Sequence, residues 1–303
     1  MMVAVSRNFT LTEVDDPTAI VTYNFRLATN QSPLVLSQCR IGGVTLIYLV
    51  LASKAYTRNL QYRGAHMIHN IASAMFGYMY ACIWIGVGEG QSLGDYGTAG
   101  MVNYIAFSQS ALWVSAFITN GLGIPQSVRT GHIALDFMRP IHLFTHMVSR
   151  EWGQIGYQFL FKSIPIYTLY YFVFNLQAPT NPAQLALIFI ALIGSAYLSL
   201  CMNYLIGASA LWTTESNWLY WGNHALIMVL SGFFIPLEWL PNWLQTISWF
   251  SPYPFLMYVP TRIYLGFEDG SMLIGTLAWC VLLTVICLLV TALLRRKVEV
   301  QGG

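Results

Sequence analysis

Charge is what this sequence has least of. Of 303 residues only 9% are charged, against 56% hydrophobic and a mean hydropathy of +0.56. A soluble domain carries about a quarter charged residues, so the composition excludes an ordinary soluble protein and places the chain in a bilayer. The net charge of +2 is small and dispersed, which argues against nucleic acid as a partner. Five cysteines (Cys39, Cys82, Cys201, Cys280, Cys287) are scattered, four of them inside apolar runs, with no CxxC pair and no disulfide framework. There is no Walker-type glycine-rich loop or other phosphate cradle, so the chain has no means of using ATP itself. The first apolar run starts only at Val44, and no cleavable signal peptide is expected.

What is present is a series of long apolar segments. Residues 1–43 mix polar residues with Pro17 and Pro33, without periodicity, and predict a poorly ordered cytoplasmic leader. From 44 to 64 the pattern turns helical. Leu49, Ala52, Tyr56 and Leu60 share one face and Lys54, Arg58 and Gln61 another, as in an amphipathic helix lying at the membrane interface. Residues 65–303 then hold six runs long enough to span, near Met67–Val87, Val102–Gly123, Ile155–Phe174, Leu185–Trp212, Leu219–Ile235 and Met272–Leu294. The expected fold is therefore all-α: an interfacial helix followed by a six-span bundle.

Orientation follows from the cations. Arg7, Arg26, Arg40, Lys54, Arg58 and Arg63 precede the first span, Arg129, Arg139, Arg150 and Lys162 lie around the second turnover, and Arg295, Arg296 and Lys297 follow the last span. Only Arg262 falls on the other side, so both ends are expected in the cytoplasm. Residues from Ile141 onward are already compatible with helix. The third span should therefore begin early, project His142, His146, Arg150 and Glu151 into the cytosol, let Lys162 snorkel, and kink at Pro165. Between the fifth and sixth runs, five prolines from Pro236 to Pro260 break a segment rich in tryptophan, including Trp239 and Trp243. It is too broken to span and too apolar to float, which predicts short helices re-entering the outer leaflet under cover of other helices.

Several polar residues are candidates for function. The stretch Ser127–Pro140 (SVRTGHIALDFMRP) interrupts two apolar runs. Ile133, Leu135, Phe137 and Met138 give it a helix of two turns at most, apolar on one side. So short a helix needs a membrane surface or a partner protein, unless the stretch is an ordinary connecting loop. His142 and His146 stand at i, i+4 with Glu151 nearby, but lack a third metal ligand at sound spacing and read better as the cytoplasmic mouth. Asn223, His224 and Ser231 enter the fifth span, either as helix–helix contacts or on a substrate path. Glu238 is expected to cap a broken outer helix, and Arg262 to pair structurally with Glu238, Glu268 or Asp269. No GxSxG elbow and no outer carboxylate pair beside a histidine supports a lipid-modifying transferase. The nearly uncharged spans speak against an ion-driven secondary transporter.

Taken in this order, the pieces SKAYTRNLQYRG, GHIALDFMRPI, LSGFFIPLEWLPNWLQTISWFSPYPFLMYVPTRIYLG and RRKVEVQGG resemble the permease subunits of type-2 ATP-binding-cassette exporters, in the bacterial six-span branch without a fused ATPase. The resemblance covers residues 44–303; the leader of 43 residues is a departure. It implies a coupling helix at Gly131, His132, Ile133, Ala134, Leu135, Asp136, Phe137, Met138, Arg139 and Pro140, seated in a groove of a cytosolic ATPase dimer. It further implies an elbow helix bracing that ATPase through Lys54, Arg58 and Arg63. ATP and Mg would be bound by the partner and no cofactor by this chain. A second permease, a sibling chain or a copy, would complete the substrate route along the first, second and fifth spans in the bacterial inner membrane.

Overall fold

The computed structural model describes residues 42–138, 141–213 and 215–301, with side chains left out at 42–46, 62–63, 65 and 295–301. The described residues form helices and turns with no strand. The leader therefore lies outside the described residues, apart from Gly42 and Gly43, which open the first helix.

Helix α1 (Gly42–Asn59) passes through a three-residue turn into α2 (Arg63–Gly90). A second short turn at Gly94–Tyr96 leads into α3 (Gly97–Ser115), whose residues Met101 to Ser115 are buried without exception. This helix is the axis of the bundle. Several of its polar side chains bond to neighbouring helices. Gln109 Nε2 donates to Ser73 Oγ at 3.0 Å, Ser108 Oγ meets Thr261 Oγ1 at 3.1 Å, and Ser115 Oγ lies 2.7 Å from Ser195 Oγ. In hydrocarbon, where apolar surface gives helices little reason to associate, such small polar contacts hold them together.

After α3 come two short helices, α4 (Ile124–Arg129) and α5 (Ile133–Met138), and then α6 (Leu143–Gln158). A π turn at Phe159–Ser163 joins α6 to α7 (Ile164–Phe174), making one rod. Pro165 explains the irregularity. It has no N–H to offer the Phe161 carbonyl, and Asn70 Nδ2 from α2 donates there instead at 2.7 Å. The helix does begin early, at Leu143, but its first turns do not project: His146 is 3% and Glu151 2% exposed, α6 packing along α1 while Glu151 accepts from Thr119. At their crossing a Cβ on Gly153 would lie 1.9 Å from the Ala52 carbonyl oxygen, so the backbones touch. Nor does Lys162 snorkel; it is 5% exposed, its ammonium 3.6 Å from the centre of the Trp113 ring.

Helix α8 (Pro182–Thr213) opens on proline behind Asn181, whose Oδ1 accepts from Ala183 N–H at 3.0 Å. It runs beside α12 (Leu273–Gln301) in constant register, with Tyr197 on Thr284 at 2.7 Å and Tyr204 on Thr291 at 2.5 Å. Partners that advance together mean parallel helices. By the same reading α2 is parallel to α7 (Asn70 at Phe161, Ala74 at Tyr170) and antiparallel to α3 (Ser73 at Gln109, Gly88 at Thr98). Among the described residues four helical stretches are long and apolar enough to cross a membrane: His66–Gly90, Gly94–Arg129 (α3 with the short turns and helix that flank it), Pro182–Thr213 and Leu273–Leu294.

Between α8 and α12, α9 (Asn217–Leu230) is shorter than the apolar run that encodes it. It stops at Ser231–Gly232, where Gly232 has φ +74° and a Cβ would press on Tyr258 Cβ at 3.0 Å. Gly232 thus ends the helix instead of easing packing within it. The freed carbonyls are covered as the broken sequence requires, Ser231 by the Tyr258 N–H at 3.0 Å and Gly232 by the Tyr104 hydroxyl. Helices α10 (Asn242–Trp249) and α11 (Tyr258–Tyr264) are the fragments left by the prolines.

Candidate functional site

The candidate expected on the cytoplasmic side grows out of the end of α3. The apolar pattern continues to Gly123, yet the helix stops at Ser115. Gly121 and Leu122 then take left-handed conformations (φ 54° and 52°). For a buried leucine this costs about 1 kcal/mol or more, so surrounding contacts must hold it. On one side Gly121 lies against Gly207 of α8, so closely that a Cβ on Gly207 would sit 2.1 Å from the Gly121 carbonyl oxygen. On the other side α6 takes up the unpaired backbone. Gln158 Nε2 donates to the Phe117 carbonyl at 3.1 Å, and Arg150 donates to the Leu122 carbonyl. Glu151 accepts from Thr119, and burial pushes its carboxyl above the usual carboxylate range against that bond and the nearby Arg150.

From this knuckle α4 sets out with Pro125 in its first turn and ends at Thr130, whose N–H and hydroxyl both reach the Gln126 carbonyl. Gly131 turns the chain at φ +72° into α5. Two residues four apart anchor α5: Ile133 is 8% exposed, and Phe137 packs on the core. Two others face outward, Leu135 at 56% and Met138 at 80% exposure, with His132 beside them. Asp136 is half-buried, while Arg139 and Pro140 lie outside the described residues. The sequence predicts a single apolar side. The structure gives two, one holding the helix and one open.

A second loop, the turn between α8 and α9, supports this arrangement. Arg129 pairs with Glu215 at 2.8 Å, Glu215 accepts from Asn217 Nδ2 at 2.8 Å, and Asn217 Oδ1 accepts from Asn120 Nδ2 at 2.8 Å. The chain of contacts joins the α3–α5 segment to the α8–α9 turn. Nothing in the local pattern around Glu215 points across 86 residues to Arg129. The elbow cations Lys54 and Arg58 are exposed on α1, and the Arg63 side chain is outside the described residues. Leu49 is 67% exposed and Ala55 is buried, since α6 meets α1 along Tyr48, Ala52 and Tyr56. Among the described residues no group of three or more histidine, cysteine or acidic side chains could hold a metal ion.

The remaining candidates lie elsewhere. Asn223 is buried, its Oδ1 accepting from the Tyr253 hydroxyl at 3.1 Å, and His224 lies 5.3 Å from the Phe117 ring where α3 breaks. At the opposite end Glu238 does not cap a helix. Its Oε1 accepts from Tyr258 at 2.6 Å, Tyr96 at 3.1 Å and Arg262, whose other nitrogen reaches Glu268 at 3.3 Å. Trp239 leans on Trp84 and Tyr96, whereas Trp243 is 66% exposed on α10.

A family model described as an ABC-2 family transporter protein matches residues 70–298, well over half of the chain. No curated protein matches it. The match starts within α2, so it does not take in the elbow. Reaching from α2 into the last turn of α12, over a bundle of membrane-length helices, it shows that the chain belongs to the ABC-2 transporter family and is a membrane permease component of an ABC transporter.

Proposed function

We propose that this permease exports an amphipathic or hydrophobic molecule, lipid-like, peptide or drug, by alternating access driven by a separate ATPase dimer that docks on α5. The observation that carries the reading is the open pair Leu135 and Met138, held outward on a helix whose other face is anchored by Ile133 and Phe137. Exposed apolar side chains on a rigidly mounted cytoplasmic helix favour a protein partner with a complementary groove. The brace of Arg150, Gln158 and Gly207 around the knuckle offers a path from that contact into α3, α6 and α8. Closure of the ATPase on bound ATP and Mg would thus reach the bundle axis directly.

The relative helix directions support six crossings. Since α8 and α12 are parallel, the chain must return between them, and we assign that return to α9 with the Ser231–Pro236 segment. Both ends then lie in the cytoplasm of a bacterial inner-membrane protein, with the cations distributed as the inside-positive rule requires. A second permease, sibling or copy, completes the route along α2, α3 and α9. The apolar spans favour a greasy substrate over a sugar or ion.

The test is purification from native membranes with ATPase activity assayed, comparing wild type with Leu135→Asp combined with Met138→Asp. Loss of two docking side chains should weaken ATPase association by roughly 30-fold, with the permease's own melting temperature unchanged. Undiminished co-purification with coupled ATPase activity would sink the assignment of α5.

A further inference from the structure

Among the described residues Glu151 and Lys162 are charged side chains more than nine-tenths buried, and they differ in company. Glu151 has Arg150 at 3.7 Å and accepts from Thr119. Lys162 rests on the face of Trp113, its ammonium 3.6 Å from the ring centre, and finds no hydrogen-bond acceptor among the described residues. No carboxylate bears on it or on the neighbouring His66, whose titratable neighbours are Lys162 and His69. A ring face offsets only part of what burying a charge costs. A cation without a counter-charge inside a membrane points to an anion supplied from outside the chain.

The surroundings fix this ammonium and leave it a way out. Trp113 is held by its Nε1, which donates to Ser73 Oγ at 3.1 Å, and the carbonyl preceding Lys162 is held by Asn70. His66 Nε2 and Ser163 Oγ are sealed from outside without partners, but the Lys162 Nζ is not so enclosed. Toward the exterior stands His69, exposed, its ring 6.3 Å from that of Trp113. With α2 beginning at Arg63, a rise of 1.5 Å per residue puts His69 about 9 Å into the helix, the depth at which headgroups give way to hydrocarbon. The same face of α2 continues through Phe76, Met79 and Ile83, each 43–50% exposed. A lone cation at headgroup depth below an apolar track is complementary to an amphiphile with a negative head.

We propose that Lys162 binds the oxyanion head, phosphate or carboxylate, of an amphiphile that enters past His69 from the inner leaflet and lays its tail along Phe76, Met79 and Ile83. The head stays at headgroup depth and supplies the charge and the acceptors that Lys162 lacks. The tail meets side chains on the α2 side of the proposed route between two permeases. This deepens the exporter reading by naming its cargo class, an anionic amphiphile, and takes the leaflet from the orientation in that reading. Binding requires the permease alone, so it is measured without the ATPase and stands or falls separately.

The probe is tritiated dodecyl phosphate, with tritiated dodecanol as its uncharged counterpart, bound to the full chain in phosphatidylcholine nanodiscs after subtraction of counts on empty discs. Dodecyl phosphate should bind roughly 10-fold tighter than dodecanol. Lys162→Met should remove that preference without lowering the melting temperature, since it deletes a buried charge, and Lys162→Arg should retain most of it. Lys162→Gln serves if the methionine variant melts early. Inorganic phosphate at the probe's concentration should not compete; competition at parity means an adventitious anion only and overturns the amphiphile. Equal affinity for the two probes, or a preference that survives loss of the lysine, overturns the proposal. In membranes holding the ATPase, dodecyl phosphate should stimulate ATP hydrolysis and dodecanol should not. Binding without stimulation overturns the role as cargo and leaves the headgroup of a resident bilayer lipid as the ligand.

Discussion

The two ends of the bundle break their helices differently. At the outer end proline and Gly232 stop α9 and leave fragments, and the fragments close on themselves. Glu238, Arg262, Tyr96, Tyr258 and Glu268 form one interlocked group, and the carbonyls of Ser231 and Gly232 are covered by the same chain. At the α5 end α3 stops at Ser115, and the break that follows, with left-handed Gly121 and Leu122, has no proline inside it. The backbone is again caught, by Arg150 and Gln158, but the helix that follows leaves Leu135 and Met138 open. One end closes on itself; the other leaves Leu135 and Met138 uncovered within this subunit. Irregularity alone therefore does not suggest a docking site. What led to the proposal for α5 is an irregular segment whose backbone carbonyls are captured while apolar side chains stay open.

Breaking the inner knuckle should have the largest effect. Gly207→Val places a side chain against the Gly121 backbone, where neither side can yield, and should cost about 3 kcal/mol. The expected result is loss of the monodisperse folded species by size-exclusion chromatography in detergent; a well-folded variant with normal melting would refute the close contact. At the outer end, Arg262→Met should cost about 1–2 kcal/mol, because it strips Glu238 of a charged donor and leaves two tyrosines. A double-mutant cycle with Glu238→Gln checks this: the two changes should be clearly sub-additive in thermal melts, and additivity would mean that the group does not act as one.

A smaller effect distinguishes captured backbone from ordinary packing. Asn70→Leu should destabilise by about 1 kcal/mol, since it orphans the Phe161 carbonyl. In a Pro165→Ala background, which restores an N–H, the same change should be nearly silent; equal losses in both backgrounds would show that Asn70 does something else. Smallest is the pH dependence from Glu151. Burial holds its folded pKa above the unfolded value, so its contribution is greatest below the ordinary carboxylate range and declines as pH rises through the raised value. Glu151→Gln should flatten the slope of melting temperature against pH across that window, and an unaltered slope would count against the assignment.

The sequence alone determined the class of the molecule. Scarce charge and long apolar runs leave a helical bundle in a bilayer as the one way to satisfy the backbone, and the positions of the runs and of the proline-broken block followed from local chemistry. It also determined that Ser127–Pro140 stands apart and that Arg262 needs an outer acidic partner. Only the tertiary structure decided where the helices stop. Ser115 and Leu230 end helices inside apolar runs, because hydropathy measures the solvent and not the backbone, and contacts with Gly207 and Tyr258 come from distant parts of the chain. The same holds for Lys162, drawn to Trp113 instead of to water, and for His146 and Glu151, buried where sequence spacing has them project. Local pattern records what each residue prefers to touch. Which residue it touches depends on packing between segments far apart in the chain, and that is set only when the helices come together.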